Sequence, residues 1–346
     1  MAGRDPAASG ASSPSSASSP SFVSAPSSAC ASASATSAPS SASGAATSSA
    51  PAAASPVGLI DTHCHLDLLE DTEADLAAAR AAGIEAVVAV GFDLESSCRA
   101  VAFAQRCAPV AAAGERASVT PARELSPAAS AREPALAASA SARPCVFACV
   151  GLHPHDAQTL DDAMLAQLEE LAAAPGVVAI GECGLDYYRE RSPRDAQRRA
   201  FSAQIALARR TGLTLVVHTR EAAGDTMAML DEEAAGLTVV LHCFSLPDHV
   251  DAANERGYYQ SFAGNVTYKN AADLRAAAAR VRDDLLLVET DAPYLSPVPY
   301  RGKPNRPAWV VETAAVVAEA RGWTSQRTAA VTTANARRAF CLPTSD

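Results

Sequence analysis

The sequence predicts a (β/α)8 barrel on three observations. Eight short apolar runs recur along the chain, segments of helical period separate them, and the length left to fold suits one such barrel. That length follows from composition. Residues 1–56 hold 20 Ser, 18 Ala and 7 Pro, and residues 108–144 hold 14 Ala, 5 Ser and 5 Pro with scattered Arg and Glu. Neither stretch carries enough apolar surface to offset chain entropy. We expect a disordered tail over 1–56 and a disordered insertion over 108–144 within a single domain spanning 57–346. The 346 residues less these 56 and 37 leave 253, against roughly 250 for a typical barrel of this class.

The elements follow in order. Val57–Ile60 and Ala86–Val90 read as the first two strands, with helices over Thr72–Ala82 and Leu94–Cys107. Beyond the insertion, Val146–Gly151, Val177–Ile180 and Leu213–Val217 each precede a helical segment, at Asp161–Ala174, Pro193–Thr211 and Glu221–Ala235. Leu237–Leu241, Tyr258–Phe262 and Leu285–Val288 complete the eight runs, followed by Pro247–Arg256, Ala271–Arg282 and Arg306–Arg321. A last amphipathic piece covers Ser325–Ala339. Gly83, Gly176, Gly212 and Gly236 stop four helices where a left-handed residue is needed. Pro193 is expected at a first helical position, where its missing N–H costs nothing. A doubly wound sheet is the competing architecture, but it would usually have fewer strands and a Gly-rich phosphate loop, which the sequence lacks.

The net charge is −10, and the tail contributes none of it. A chain this acidic is poorly suited to grip nucleic acid through a broad basic face, although bound cations could supply a positive field locally. Nine Cys, an odd number with no C-x-x-C pair, argue for reduced thiols. With no apolar run near membrane-spanning length and no signal-peptide pattern, the expectation is a cytoplasmic protein without a membrane partner.

The seven His carry the strongest signal. His63 and His65 follow the first apolar run, His218 the fifth and His242 the sixth, while Glu182 follows the fourth and Asp291 the eighth. A barrel gathers the C-terminal ends of its strands around one mouth, so these six side chains are expected to converge. In His63–Cys64–His65 the i, i+2 spacing turns both imidazoles to one side of extended backbone. Mixed imidazole and carboxylate donors suit Zn²⁺, Mn²⁺ or Fe²⁺, and oxygen donors suit Mg²⁺. Six protein ligands exceed what one catalytic ion takes. Two divalent ions sharing a carboxylate account for the number better.

These residues lie in six ordered segments: Asp61–Asp67, Val150–His155, Ala179–Tyr187, His218–Glu221, Leu241–Ser245 and Glu289–Leu295. Together they resemble the signature segments of TatD-family deoxyribonucleases, metal-dependent phosphodiesterases on amidohydrolase-like barrels. The resemblance implies that His63, His65, Glu182 and Asp291 hold one ion and that Glu182, His218 and His242 hold the other. The bridging place that many amidohydrolase barrels give to a carbamylated Lys is taken by Glu182. The implied reaction is hydrolysis of DNA phosphodiesters, working inward from a single-stranded or frayed end, with two ions drawn from Mg²⁺, Mn²⁺ or Zn²⁺. Asp291 is then the general base, His153 a contact to the scissile phosphate, and Arg220 and Lys269 further phosphate contacts.

Blander readings stand beside these. His155 suits a structural or rim role and His249 a solvated helix. Alternation turns Cys64, Cys183 and Cys243 away from the mouth as small buried thiols. Arg189, Arg191, Arg194, Arg198 and Arg199 read as a solvated helix face or as a guide for a nucleic-acid strand. An amide or ester hydrolase, such as a deacylase of aminoacylated RNA, could use the same ion pair. A non-catalytic metal-binding scaffold is the remaining alternative.

Overall fold

The structure is a computed structural model that describes residues 58–107 and 144–343. The expected tail lies outside the described residues, as does the expected insertion apart from Pro144. All eight apolar runs form strands: β1 (Leu59–Cys64), β2 (Ile84–Val90), β3 (Cys145–Val150), β4 (Val177–Asp186), β5 (Thr214–Arg220), β6 (Val239–Leu241), β7 (Tyr259–Phe262) and β8 (Leu286–Val288). They pair in parallel in chain order. Just past β8, Asp291 donates its N–H to His63 O at 2.9 Å and Ala292 O accepts from His65 N at 2.8 Å. The sheet so returns nearly to closure, and the fold is the expected (β/α)8 barrel.

Helices α1 (Thr72–Ala81), α2 (Leu94–Cys107), α3 (Asp162–Ala172), α4 (Arg194–Thr211), α5 (Ala223–Glu233), α6 (Val250–Arg256), α7 (Ala272–Arg280) and α8 (Val310–Arg321) alternate with the strands, and α9 (Ser325–Ala339) follows. Asp71 and Asp161 cap α1 and α3 by accepting the N–H groups of Ala74 and Met164, at 3.0 and 2.8 Å. Such caps satisfy donors that a helix start leaves free. Pro193 departs from expectation: its ψ of 145° is extended, so it caps α4 rather than opening it.

Apolar side chains divide into two layers. The larger, including Leu76, Val87, Phe201 and Leu230, lies between the sheet and the helices. The smaller fills the barrel, where Ile60, Val88, Cys149, Ala179, Val216, Val240 and Leu287 meet Ala336, Ala339 and Phe340 from the end of α9. Polar bonds fix that helix across the strand N-termini: Thr333 Oγ1 donates to Gly58 O at 2.7 Å, and Asn335 Nδ2 to Leu286 O at 2.8 Å. The barrel floor is thereby sealed, which leaves the C-terminal ends of the strands as the open mouth.

Three strands run further than the apolar pattern predicts. β1 reaches Cys64, β4 reaches Asp186 and β5 reaches Arg220, so His63, Glu182 and His218 sit within strands rather than after them. The apolar period stops where the polar site begins, but the backbone ladder continues. In β4 the ladder also slips: Ile180 pairs with Leu215 and Cys183 with Val217, so Gly181 and Glu182 together oppose one residue of β5. Unbroken alternation from the inward Ala179 would aim Gly181 and Cys183 into the barrel and Glu182 out of it. The bulge reverses the phase beyond Ile180. Gly181 meets its demands, because at φ 141° an added Cβ would lie 2.4 Å from Val216 O.

Candidate metal centre

Glu182 stands at the centre of the mouth, 3% exposed, with its two carboxylate oxygens in separate nests of donors. Oε2 lies 3.4 Å from His63 Nε2 and 3.7 Å from His65 Nε2. Asp291 Oδ1 completes that nest at 3.8 and 3.5 Å from the same two nitrogens. Oε1 lies 2.8 Å from both His218 Nδ1 and His242 Nε2, which are 3.3 Å apart, and 3.5 Å from His153 Nε2. All six side chains expected at the mouth are therefore brought together, with His153 beside them.

Second contacts set which nitrogen four of the five rings, all but His63, present. His65 donates from Nδ1 to Val90 O at 3.1 Å, leaving the Nε2 lone pair for the nest. His242 directs Nδ1 at Glu289 Oε1, 3.2 Å away, and so turns Nε2 to the nest. His218 is turned the other way, with Nε2 3.4 Å from Asp186 Oδ2 and Nδ1 facing the nest. His153 differs in kind. Its Nδ1 accepts the His155 N–H at 3.1 Å, so the neutral ring carries its proton on Nε2 and offers the mouth a donor, not a lone pair.

Electrostatics set these groups apart from ordinary surface residues. Burial works to raise the Glu182 pKa, but His242, His153 and His218 outweigh it and hold the carboxyl well below its usual range. Burial pushes His63 and His153 down, His153 strongly, so both rings are neutral near pH 7. For His242 burial also acts downward, yet the Glu182 and Glu289 carboxylates raise its pKa well above the usual value.

The donors fit divalent cations. Both ring nitrogens of His63 are buried without a hydrogen-bond partner, an expensive state for polar atoms unless something else satisfies them. Ligand atoms about 2.1 Å from a tetrahedral ion stand about 3.4 Å from one another, close to the separations in the Oε2 nest. Among the described residues, His63, His65 and Glu182 form one group able to hold an ion and His63, His242 and Glu289 another, whereas the group of His153, Glu182 and His218 needs a lone pair that His153 Nε2 does not offer in this tautomer.

Above the nests the mouth opens as a cavity of about 720 Å³, lined by Phe92, His155, Arg189, Arg191, Arg220 and Tyr294 among others. Lys269 is not among them. It lines a separate depression beside Arg275 of α7 and Glu319 of α8, so its expected phosphate contact is withdrawn. The arginine run divides: Arg189 and Arg191 face the mouth, while Arg194, Arg198 and Arg199 pair with Glu190, Asp225 and Asp195. His155 is held at the rim by Asp186 Oδ2 at 3.0 Å. Cys64 and Cys183 are buried as expected, but Cys243 lines the mouth because its φ of 43° breaks the alternation.

Residues 60–341 match the model of the TatD related DNase family. The chain belongs to the TatD family. A Bacillus subtilis relative, the uncharacterized metal-dependent hydrolase YabD, is 35% identical over 289 residues, which is 82% of this chain and 98% of that protein. The 3′-5′ ssDNA/RNA exonuclease TatD of Cronobacter turicensis is 35% identical over 291 residues, 82% of this chain and 96% of its own. Among solved structures, the TatD homologue YjjV of Escherichia coli K12 superposes with a TM-score of 0.68 at 26% identity, covering 82% of this chain and 98% of that one. As a TatD-family protein the chain is a metal-dependent hydrolase, and the scaffold alternative is set aside.

Three site residues went unassigned in the sequence: Asp61, Asp186 and Glu289, each 1% exposed or less. All lie inside the motif segments, and their roles emerge only from their partners. Asp186 and Glu289 orient His218 and His242, while Asp61 holds the backbone next to Asp291.

Proposed function

We propose that this TatD-family hydrolase cleaves phosphodiester bonds of DNA from a single-stranded or frayed end, using two divalent cations. One observation carries the reading: the two oxygens of Glu182 serve two donor nests, as a bridging carboxylate must. His63, His65 and Asp291 would hold one cation, His218 and His242 the other, and Mg²⁺, Mn²⁺ or Zn²⁺ each suits part of the donor set. Bound there, the cations supply positive charge against the phosphate and ease deprotonation of the attacking water.

The protein's own groups do the rest. Glu182 stays ionised and keeps the two nests in register. Asp291, 13% exposed on its side chain, faces the cavity and accepts the proton of the attacking water. His153 donates from Nε2 to a phosphate oxygen, a role its tautomer supports. Arg220, with Arg189 and Arg191, provides cationic charge at the rim of a protein whose net charge is −10. Guanidinium groups pair with phosphate bidentately, as a phosphodiester substrate requires. The free thiols of Cys64, Cys98, Cys145, Cys149, Cys183, Cys243 and Cys341 support a reducing compartment such as the cytoplasm.

The test is release of nucleotides from end-labelled single-stranded DNA by the purified protein with Mg²⁺ or Mn²⁺. Release that Glu182→Ala abolishes supports the reading. Hydrolysis of aminoacyl-RNA esters without any cleavage of DNA overturns it.

A further inference from the structure

Among the described residues, four large hydrophobic side chains are exposed: Leu68, Tyr188, Tyr294 and Val298. All four lie on loops that leave the C-terminal ends of strands, after β1, β4 and β8. Exposed apolar surface confined to the face of a barrel that carries its site marks contact with a ligand rather than chance. The two tyrosines stand on opposite rims. Tyr188 follows β4, and the Arg220 guanidinium at the end of β5 lies 4.0 Å over its ring. Tyr294 follows β8, with its ring 5.9 Å from that of His65 in β1's loop. In an eight-stranded barrel paired in chain order, the β4–β5 side faces the β8–β1 side across the mouth.

The rims differ in charge. Tyr294 lines the cavity together with Leu295 and Phe92, whereas Tyr188 stands just outside the lining, joined to it through Arg220 and Arg189, which line the cavity with Arg191. No Lys or Arg from the Tyr294 side is among the described residues lining the cavity. A flat aromatic face accepts any base, and guanidinium groups track the phosphates of a strand. Within the cavity the cations lie on one side alone and give the strand a direction: its continuing, phosphate-bearing body belongs on the Arg189, Arg191 and Arg220 side and its end on the other.

We propose that Tyr188 and Tyr294 are base-stacking platforms on either side of the scissile phosphate. The terminal base stacks on Tyr294 and the penultimate base on Tyr188, while Arg189, Arg191 and Arg220 hold the phosphates behind it. This rests on the phosphodiesterase reading and adds to it a fixed placement of the strand across the mouth. It explains how a protein without a broad basic face takes a polyanion: the contact is short and aromatic.

The experiment pairs protein variants with substrates lacking one base. Tyr188→Ala, Tyr294→Ala and both Phe variants act on single-stranded oligonucleotides that carry a base-free spacer at the terminal or the penultimate position of the cleaved end. Each Ala variant is expected to raise KM for the intact strand about five- to hundredfold, the range of one lost base–aromatic stack, and each Phe variant to restore it. Removing the terminal base should erase the effect of Tyr294→Ala but not of Tyr188→Ala, and removing the penultimate base should do the reverse. Cleavage by the wild-type protein with purely additive effects, or with the two couplings exchanged, overturns this placement and leaves the phosphodiesterase reading intact. No cleavage of any strand by the wild-type protein overturns both.

Discussion

Thr290 ends both of its donors on Asp61: its N–H reaches Oδ1 at 2.8 Å and its hydroxyl reaches Oδ2 at 2.6 Å. The two residues are 229 positions apart, and the contact ties the start of the barrel to its last strand. Asn305 adds a third point by donating from Nδ2 to Thr290 O at 2.9 Å. Next in the chain is Asp291, a non-glycine residue at φ 56°, a conformation that persists only where the surroundings impose it. Asp61, Thr290 and Asn305 impose it here, and so aim the Asp291 carboxylate at His63 and His65.

Thr290→Val keeps the side-chain shape but removes the hydroxyl, which leaves a buried Asp61 oxygen without its donor. That costs about 1–3 kcal/mol of stability and frees Asp291 to wander. We expect kcat to fall at least tenfold by comparison with wild type, whereas Thr290→Ser, which keeps the donor, loses less than about threefold at ~1 kcal/mol or below. Equal rates for the Val and Ser variants in a steady-state assay would show that the hydroxyl does not position Asp291.

Asp61 gives a pH dependence to the metal-free protein. Burial pushes its carboxyl from 3.8 up to about 8, against the downward pull of the Thr290 bonds. Between those values the native state holds a proton that the unfolded chain has released, so stability is greatest below the lower one and declines as pH rises toward 8. Chelator-treated protein unfolded in urea across pH 4 to 9 should show this decline, and Asp61→Asn should flatten it. A slope of the same size in both proteins would assign it to other groups.

Glu289→Gln tests the orientation of His242. The carboxylate accepts the imidazole Nδ1–H at 3.2 Å and the Cys243 N–H at 2.7 Å. With a neutral amide in its place, the ring loses its charged anchor and becomes a weaker donor to a cation. Outer partners of this kind are typically worth about 10- to 100-fold in metal affinity. Titrating Mn²⁺ or Zn²⁺ into metal-free wild-type and variant protein measures the difference, and unchanged affinity would remove Glu289 from the metal centre.

What the sequence revealed and what it concealed follow from the kinds of interaction involved. His63, His65, His218 and His242 stood out because rare side chains recurred at ends of apolar runs, and barrel topology alone brings such ends together. Glu182 was found for the same reason, but its inward aim depends on the β4 bulge, a backbone slip without an apolar signature. Asp61, Asp186 and Glu289 act through residues 229, 32 and 47 positions away, distances over which no local pattern speaks. Lys269 was misjudged because a cation near a motif looks alike whether it faces the mouth or the outer helices.

The floor of the barrel offers a stability test that leaves the site alone. Phe340, 1% exposed, closes the interior layer against Ile60, Val88 and Leu287 at the end remote from Glu182. Phe340→Ala would open a cavity between the barrel strands and α9, and the strands have little freedom to collapse into it. We expect a loss of about 3–5 kcal/mol, read as a lower midpoint in urea. Because the mouth is formed at the other end of the strands, the folded variant should bind metal as the wild type does. A stable Phe340→Ala protein would mean that α9 is not what seals the barrel, whereas reduced metal content in the folded variant would show that floor and mouth are coupled through the interior layer.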